Sequence, residues 1–272
     1  MTVSIGKSSW TAAALQSTLA LGLAVTAVQG QTFLPSPASD PAFLVQVEKP
    51  FLRHLPGLAF YSSIIESDVL FPLGAGKTLQ IGIPLGIAGA DELDGTSLYV
   101  GNPRVSLLFG SATDPSGFVG VTLPTASNVS GPDLAVILVA LPWLSEFEKW
   151  ADDAFSARGA WIPSWPLDGG GRLGLRLGGA AVAPTDLENL YVYARLAGWG
   201  RVPVRGIELR ADVDASYLVT SDDGFGRQFT SYMALGAQLT DSPRQPMIFI
   251  RVPLDGDARE ILDLSVGMAL RF

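Results

Sequence analysis

From Ile207 to Tyr217 the sequence alternates without a break. Ile207, Leu209, Ala211, Val213, Ala215 and Tyr217 take one parity, and Glu208, Arg210, Asp212, Asp214 and Ser216 take the other. A period of two marks a β-strand, whose successive side chains leave on opposite faces. With its charges confined to one face, such a strand must meet an apolar medium on one side and water or counter-charges on the other.

The pattern recurs along the chain. Phe43, Val45 and Val47 oppose Leu44, Gln46 and Glu48, and Ile65, Val69 and Phe71 oppose Glu66 and Asp68. Leu79, Ile81, Ile83, Leu85 and Ile87 oppose Gln80, Gly82, Pro84 and Gly86. Val105, Leu107 and Phe109 alternate with Arg104, Ser106 and Leu108, and Leu173, Leu175 and Leu177 with Arg172, Gly174 and Arg176. Leu190, Val192, Ala194 and Leu196 oppose Tyr191, Tyr193, Arg195 and Trp199, and Ile248, Ile250 and Val252 oppose Phe249 and Arg251.

Several stretches reach about ten residues, enough to cross a bilayer at a tilt of about 45°. Strands in soluble proteins centre on about five or six. In a soluble sandwich all these apolar faces would have to meet in one thin core. A transmembrane barrel satisfies both faces, with lipid on the apolar side and a polar lumen on the other. Composition agrees, at 48% hydrophobic and 16% charged residues, against about 25% charged in soluble domains. Beyond residue 30 there is no run of about 18 apolar residues to make a membrane helix.

The polar parities then define a lumen. Glu66, Asp68, Arg104, Arg176, Arg195, Glu208, Arg210, Asp212 and Arg251 are its candidates for setting ion or solute selectivity. The same charges could instead pair off and fill the interior, as in small barrels.

The closing stretch alternates too: Leu264, Val266, Met268, Leu270 and Phe272 oppose Ser265, Gly267, Ala269 and Arg271. A final strand ending on an aromatic such as Phe272 resembles the closing strand of bacterial outer-membrane β-barrels. That resemblance implies outer-membrane lipid as the surroundings and Phe272 as part of a signal read by the barrel-assembly machinery. Gly101-Asn102-Pro103-Arg104, followed by Gly117 to Leu123-Pro124-Thr125, resembles a signature of exported barrels associated with uptake of aromatic compounds, the phenol-degradation MetA-type family. It implies small solutes, hydrophobic or aromatic ones, as cargo.

Residues 1–30 read as a secretory signal peptide: Lys7, an apolar stretch from Ala12 to Val28, then Val28-Gln29-Gly30 before a cleavage point near Gln31. Residues 31–41 form a Pro-rich periplasmic lead-in, and 42–272 the barrel. The expected strand count is twelve, or ten if Phe43–Phe51 and Arg158–Trp165 drop out. With the last strand ending in the periplasm, turns at Gly74–Lys77, Ser111–Ser116, Asp168–Gly171 and Gly200–Val204 fall on that side. Loops at Ala88–Leu98 and Ala126–Phe155 then face outward. Within the second loop, Leu134–Leu141 is continuously apolar. Leu144, Phe147, Trp150, Ala151 and Phe155 then recur at helical spacing, opposite Glu146, Glu148, Lys149, Asp152 and Asp153. This predicts a short amphipathic helix, packed on the barrel or entering the lumen as a plug. Trp165, Trp199 and Tyr217 are expected in the interfacial girdles.

Enzymatic chemistry finds little support. There are no cysteines, and His54, the single histidine, has no serine in a nucleophile-elbow context. Only carboxylates remain for a metal, and Asp212 with Asp214, or Glu66 with Asp68, are better matched to lumen arginines. Gly74-Ala75-Gly76-Lys77-Thr78 lacks the first P-loop glycine, since Phe71 stands there, and leads into a strand. A net charge of −8 with no basic stripe argues against nucleic acid. No catalytic residue, metal or cofactor is expected. The reading is an all-β, transmembrane, antiparallel up-and-down barrel of the bacterial outer membrane, serving as a channel or transporter for small solutes. The alternatives are a closed structural or binding barrel and an exported soluble β-sandwich.

Overall fold

The computed structural model describes residues 38–53, 60–90, 96–111, 115–130, 146, 148–151, 153–185, 190–220 and 229–272. The strands are β1 (Ala42–Leu52), β2 (Phe60–Gly74), β3 (Lys77–Ala90), β4 (Thr96–Val100), β5 (Arg104–Gly110), β6 (Pro115–Thr122), β7 (Ser127–Ser130), β8 (Ala154–Trp161), β9 (Ser164–Pro166), β10 (Arg172–Pro184), β11 (Tyr191–Val204), β12 (Ile207–Leu218), β13 (Phe229–Leu239), β14 (Met247–Pro253) and β15 (Leu262–Arg271). One short helix, α1 (Gly256–Ile261), precedes β15, with the Asp255 carboxylate capping it by accepting from Ala258 N.

These strands make twelve staves of a closed barrel, all antiparallel to their neighbours. Three staves are interrupted. β4 and β5 both pair with β3, either side of Gly101-Asn102-Pro103. β6 pairs with β5 and β7 with β4, either side of residues 123–126. β8 and β9 both pair with β10, either side of Ile162-Pro163. The barrel closes where β1 pairs with β15, in a register that sets Val47 opposite Met268.

Burial follows the alternation. On β12, Leu209, Val213 and Tyr217 are exposed while Asp212 and Ser216 are buried; on β15, Val266 and Met268 are exposed while Ser265, Gly267 and Ala269 are buried. The outer surface is thus an apolar band and the polar parity lines the interior. Water could not cover such a band cheaply, since about 25 cal/mol is lost per Å² of apolar surface left wet. Lipid can, so the protein is a membrane-spanning barrel of the outer-membrane type rather than a soluble sandwich.

Two hairpins close on two residues with positive φ, Ala75 (50°)–Gly76 (68°) and Arg205 (47°)–Gly206 (80°). Such turns match the right-handed twist of the flanking strands. Inside the wall, the Trp199 indole lies over Gly174 and the Phe249 ring over Gly267, positions where a Cβ would enter the ring. At the short-turn end, Ala38 donates its N–H to Thr78 Oγ1 (3.0 Å) and joins Ala42, Leu44, Leu70 and Leu108 in an apolar cluster. The last residues of the lead-in therefore seal part of that end.

The structure corrects several local expectations. β11 runs through Gly200 to Val204, and the turn is Arg205–Gly206, because that pair supplies the positive φ values. Strand structure extends through Ala88–Ala90 and resumes at Thr96, so the loop between β3 and β4 is shorter than Ala88–Leu98. Phe155 is an outward residue of β8, not part of a helix. The closing strand starts at Leu262, two residues before the alternation read from Leu264, directly after α1. Trp199 faces the lumen over Gly174 rather than an outer girdle, whereas Trp165 and Tyr217 are exposed. The expected signal peptide, His54 and Leu134–Leu141 lie outside the described residues.

Candidate functional site

The inward charges assemble into a network rather than isolated rings. Arg104 on β5 faces β2, with Nη2 2.9 Å and 3.1 Å from the two Asp68 oxygens and Nη1 3.6 Å from Glu66 Oε1. Gln80 on β3 donates to Asp68 at 3.1 Å. Two acids thus share one arginine, and the balancing charge comes from outside the wall. Lys149, between β7 and β8, places Nζ 2.7 Å from Glu66 Oε1 and also pairs with Glu146. Glu146 reaches Arg158 on β8 at 3.5 Å. Glu148 forms a two-pronged pair with Arg195 on β11, at 2.9 Å and 2.6 Å, the strongest geometry open to these groups.

Glu146, Glu148 and Lys149 therefore turn inward onto lumen charges; of the two placements that periodicity left open, this is the plug rather than the helix packed on the barrel. Glu146, Glu148 and Lys149 lie in 3-10 turns, and Glu148, Lys149 and Trp150 are buried. Lys149 grips β2 while its neighbour Glu148 grips β11. Those two staves stand six apart in a ring of twelve, on opposite sides of the lumen. The inserted segment spans the barrel.

Its backbone is held by the break between β4 and β5. Asn102 Nδ2 donates to the carbonyls of Glu148 (3.0 Å) and Ala151 (2.7 Å), and its backbone N–H to the carbonyl of Lys149 (2.7 Å). Asn102 Oδ1 accepts from Thr125 N (2.9 Å) and Ala126 N (2.7 Å) at the other interrupted stave. The Tyr99 hydroxyl donates to the Trp150 carbonyl at 2.8 Å. A side chain at Gly101 would meet the Lys149 carbonyl, Pro84 and Trp150. Gly101-Asn102 and Pro124-Thr125, the two ends of the short motif seen in the sequence, thus meet physically and anchor one segment.

Electrostatics hold the segment charged. Burial pushes the Glu146 carboxyl up, but Lys149, Arg158, Arg195 and Arg104 outweigh it and hold the group well below its ordinary 4.5. Burial likewise opposes ionisation of Glu148, and Arg195, by charge and by hydrogen bonding, overcomes it. The Lys149 ammonium is pushed below its ordinary 10.5 by burial, against the pull of Glu146 and Glu66.

The other lumen candidates fall elsewhere. Arg251 lies 3.9 Å from Glu48, which also accepts from Gln46 (3.0 Å) and Ser265. Arg210 pairs with Glu208 at 2.7 Å, and Arg176 approaches Asp212 to 4.0 Å. Access is uneven. Glu48, Glu66, Asp68, Gln80 and Arg104 are 0–1% exposed, and Tyr232, Phe249, Arg251 and Ser265 on β13–β15 are buried as well. Inward side chains that keep partial exposure gather on β10–β12: Arg172 and Arg176, then Arg195, Trp199 and Arg201, then Glu208, Arg210 and Asp214. Sequence reading missed Arg201, Lys149, Glu148 and Asn102. Only the continued alternation past Trp199 could have placed Arg201 in the lumen. Among the described residues, no three His, Asp or Glu side chains are grouped to hold a metal ion.

No family model matches the chain, and no curated protein sequence matches it. Solved structures do. The COG4313 outer membrane channel from Pseudomonas putida F1 aligns with a TM-score of 0.53 at 12% identity, over 90% of this chain and 98% of that one. LpxR from Salmonella typhimurium aligns at 0.51 and 10%, over 85% and 99%. The translocator domain of the autotransporter NalP from Neisseria meningitidis aligns at 0.50 and 10%, over 96% of each chain. At these identities the likeness is one of fold, shared by a channel, a translocator and a third barrel alike.

Proposed function

We propose that the protein is an outer-membrane channel or transporter for small solutes, with the partly exposed strip on β10–β12 as its path. The carrying observation is the contrast across the lumen. Arg176, Arg195, Trp199, Arg210 and Asp214 keep exposure on three adjacent staves, while Glu66, Asp68 and Arg104 across from them are sealed. The inserted segment crosses the interior from Glu66 on β2 to Arg195 on β11, so a solute on this path would pass beside it. Guanidinium, carboxylate and indole groups line it, a chemistry suited to small polar or charged solutes, with Trp199 offering a ring contact to aromatic ones. The structural likeness to an outer membrane channel adds fold-level support.

A second reading, a closed binding or structural barrel, is favoured by the buried block of Glu66, Asp68, Arg104 and Lys149. Reconstitution separates the two. Heat-modifiable, folded protein that conducts ions in planar bilayers and admits small solutes in liposome swelling is the expected result. Folded protein with neither conductance nor swelling assigns the closed barrel.

A further inference from the structure

Among the charged residues of the described strands, only Lys49 on β1 and Lys77 on β3 take the outward, lipid-facing parity. Lys77 stands at the β2–β3 turn, where a charge meets water. Lys49 stands inside β1, is exposed, and has no hydrogen-bond or ion-pair partner among the described residues. A charge on the lipid face is costly at the midplane and tolerated only near the headgroups. Lys49 lies three residues before Leu52, the end of β1 remote from the β2–β3 turn, about 10 Å along the strand. Its stem can follow the apolar wall and lift the ammonium to the headgroups.

Arg53 directly follows β1. Asp263, the extra residue where the β1–β15 register slips, accepts from Arg53 Nε at 2.8 Å. That pair is half exposed, 53% and 52%, and therefore weak; the two Nη groups have no partner among the described residues. Phe51, exposed, lies between the two cations in sequence. On β15, Val266 is the register partner of Lys49 and Met268 that of Val47, and both are exposed. Two cations thus stand above an apolar shelf, an arrangement complementary to an anionic lipid.

We infer that Lys49 and Arg53 hold the phosphate of an outer-leaflet glycolipid whose acyl chains lie against Val266 and Met268. A phosphate offers several acceptor oxygens, enough for the point charge of a lysine and the fork of an arginine together. Basic side chains at a membrane surface attract anionic lipid by the same electrostatics. The end remote from the short turns faces outward, and the exposed rings of Phe51 and Tyr61 at that end suit a bulky sugar headgroup. β1 and β15 are the first and last staves, so the lipid sits on the closing seam. The inference needs the barrel and its orientation, not the channel reading.

The test is native mass spectrometry of the full mature protein in neutral detergent, with diphosphoryl lipid A, its fully dephosphorylated form, or phosphatidylglycerol added at equal concentration. Diphosphoryl lipid A should be retained, and the other two several-fold less. K49Q/R53Q should lower the lipid A-bound fraction several-fold, K49R/R53K should keep it, and K77Q, which removes one cation at the opposite end, should leave it unchanged. K49Q alone breaks no contact in the protein and serves if the double variant folds poorly. Equal retention of the dephosphorylated form, a folded K49Q/R53Q or K49Q that binds like the wild type, or a loss in K77Q as large as in K49Q overturns the site. Equal retention of phosphatidylglycerol overturns the choice of an outer-leaflet glycolipid.

Discussion

Lys149 and Glu66 meet inside the barrel, Nζ 2.7 Å from Oε1, with both side chains 1% exposed. Without the lysine, Glu66 would lose its short ion pair and keep the longer 3.6 Å contact with Arg104, which Asp68 already engages, in a sealed site. Removing one partner of a buried pair costs about 3–5 kcal/mol, whereas replacing both is far milder. Lys149→Met should therefore lower the temperature at which the heat-modifiable form is lost, and Lys149→Met with Glu66→Gln should recover most of the loss. A double variant as unstable as the single one would contradict the charge balance.

The pH response of the segment follows from Glu146 and Glu148, both held below the ordinary value of 4.5. A depressed folded value means stability that is fully present above the unfolded value and lost as pH falls through the folded one. The segment should stay docked from neutral pH down to about 4.5 and release only in stronger acid. Single-channel conductance against pH reads this directly. A rise in conductance between pH 7 and 5 would run against it.

Asn102 separates two tasks on one side chain. Asn102→Ala leaves two backbone N–H groups and two carbonyls without their partner, each worth about 1–3 kcal/mol if it stays buried and unsatisfied. Asn102→Asp keeps the acceptor for Thr125 and Ala126 but loses the donor to Glu148 and Ala151. It should spare the barrel and expose residues 131–153 to protease in proteoliposomes, while Asn102→Ala weakens both. Equal protease resistance in wild type and Asn102→Asp would remove Asn102 as the anchor.

Gly267 leaves room for the Phe249 ring on the neighbouring stave. Gly267→Val should destabilise by about 1–3 kcal/mol through overpacking, and Phe249→Ala in the same chain should restore much of it. Thermal loss of the folded band on unheated gels gives the comparison. Additive losses in the double variant would mean the ring and the glycine are independent.

At the seam, Phe43 N donates to the Phe272 carbonyl (3.1 Å) and Phe272 N to the Phe43 carbonyl (3.3 Å), while the Arg244 guanidinium lies 5.3 Å from the Phe272 ring. Deleting Phe272 removes both backbone bonds; Phe272→Ala keeps them. If the ring is a recognition element for assembly machinery, Phe272→Ala should fold normally from urea into detergent yet accumulate poorly in the outer membrane. Equal yields in cells would leave Phe272 with a seam role alone.

How much of this was legible differs by element. β12 could be read residue by residue, because lipid and lumen impose opposite demands on adjacent positions and the pattern survives any register. Most of the inward parity could be read for the same reason, with Trp199 and Arg201 as exceptions. The Glu146–Asp153 stretch was legible as two-sided, but periodicity cannot say whether a polar face looks at water or at buried counter-charges. Its partners, Glu66 and Arg195, are 83 and 47 residues away from Lys149 and Glu148 respectively. Arg201 was hidden by Gly200 and Pro203, which read as turn residues although the backbone stays extended to Val204. The helix before β15 went unread because six residues, Gly256–Ile261, are too few to show a period.

A cylinder walled by a single sheet resists stretching along its hydrogen bonds far better than flattening across its diameter. Lys149 and Glu148, bound to β2 and β11 on opposite sides, act as a spoke against that flattening. Arg158 on β8 braces the spoke through Glu146, and Arg104 on β5 holds Glu66, the residue on which Lys149 lands. Under the lateral pressure of a membrane, the cross-section of the barrel is thus set from within. A partition cut loose from its charges would soften the wall's shape even where every strand pairing survives.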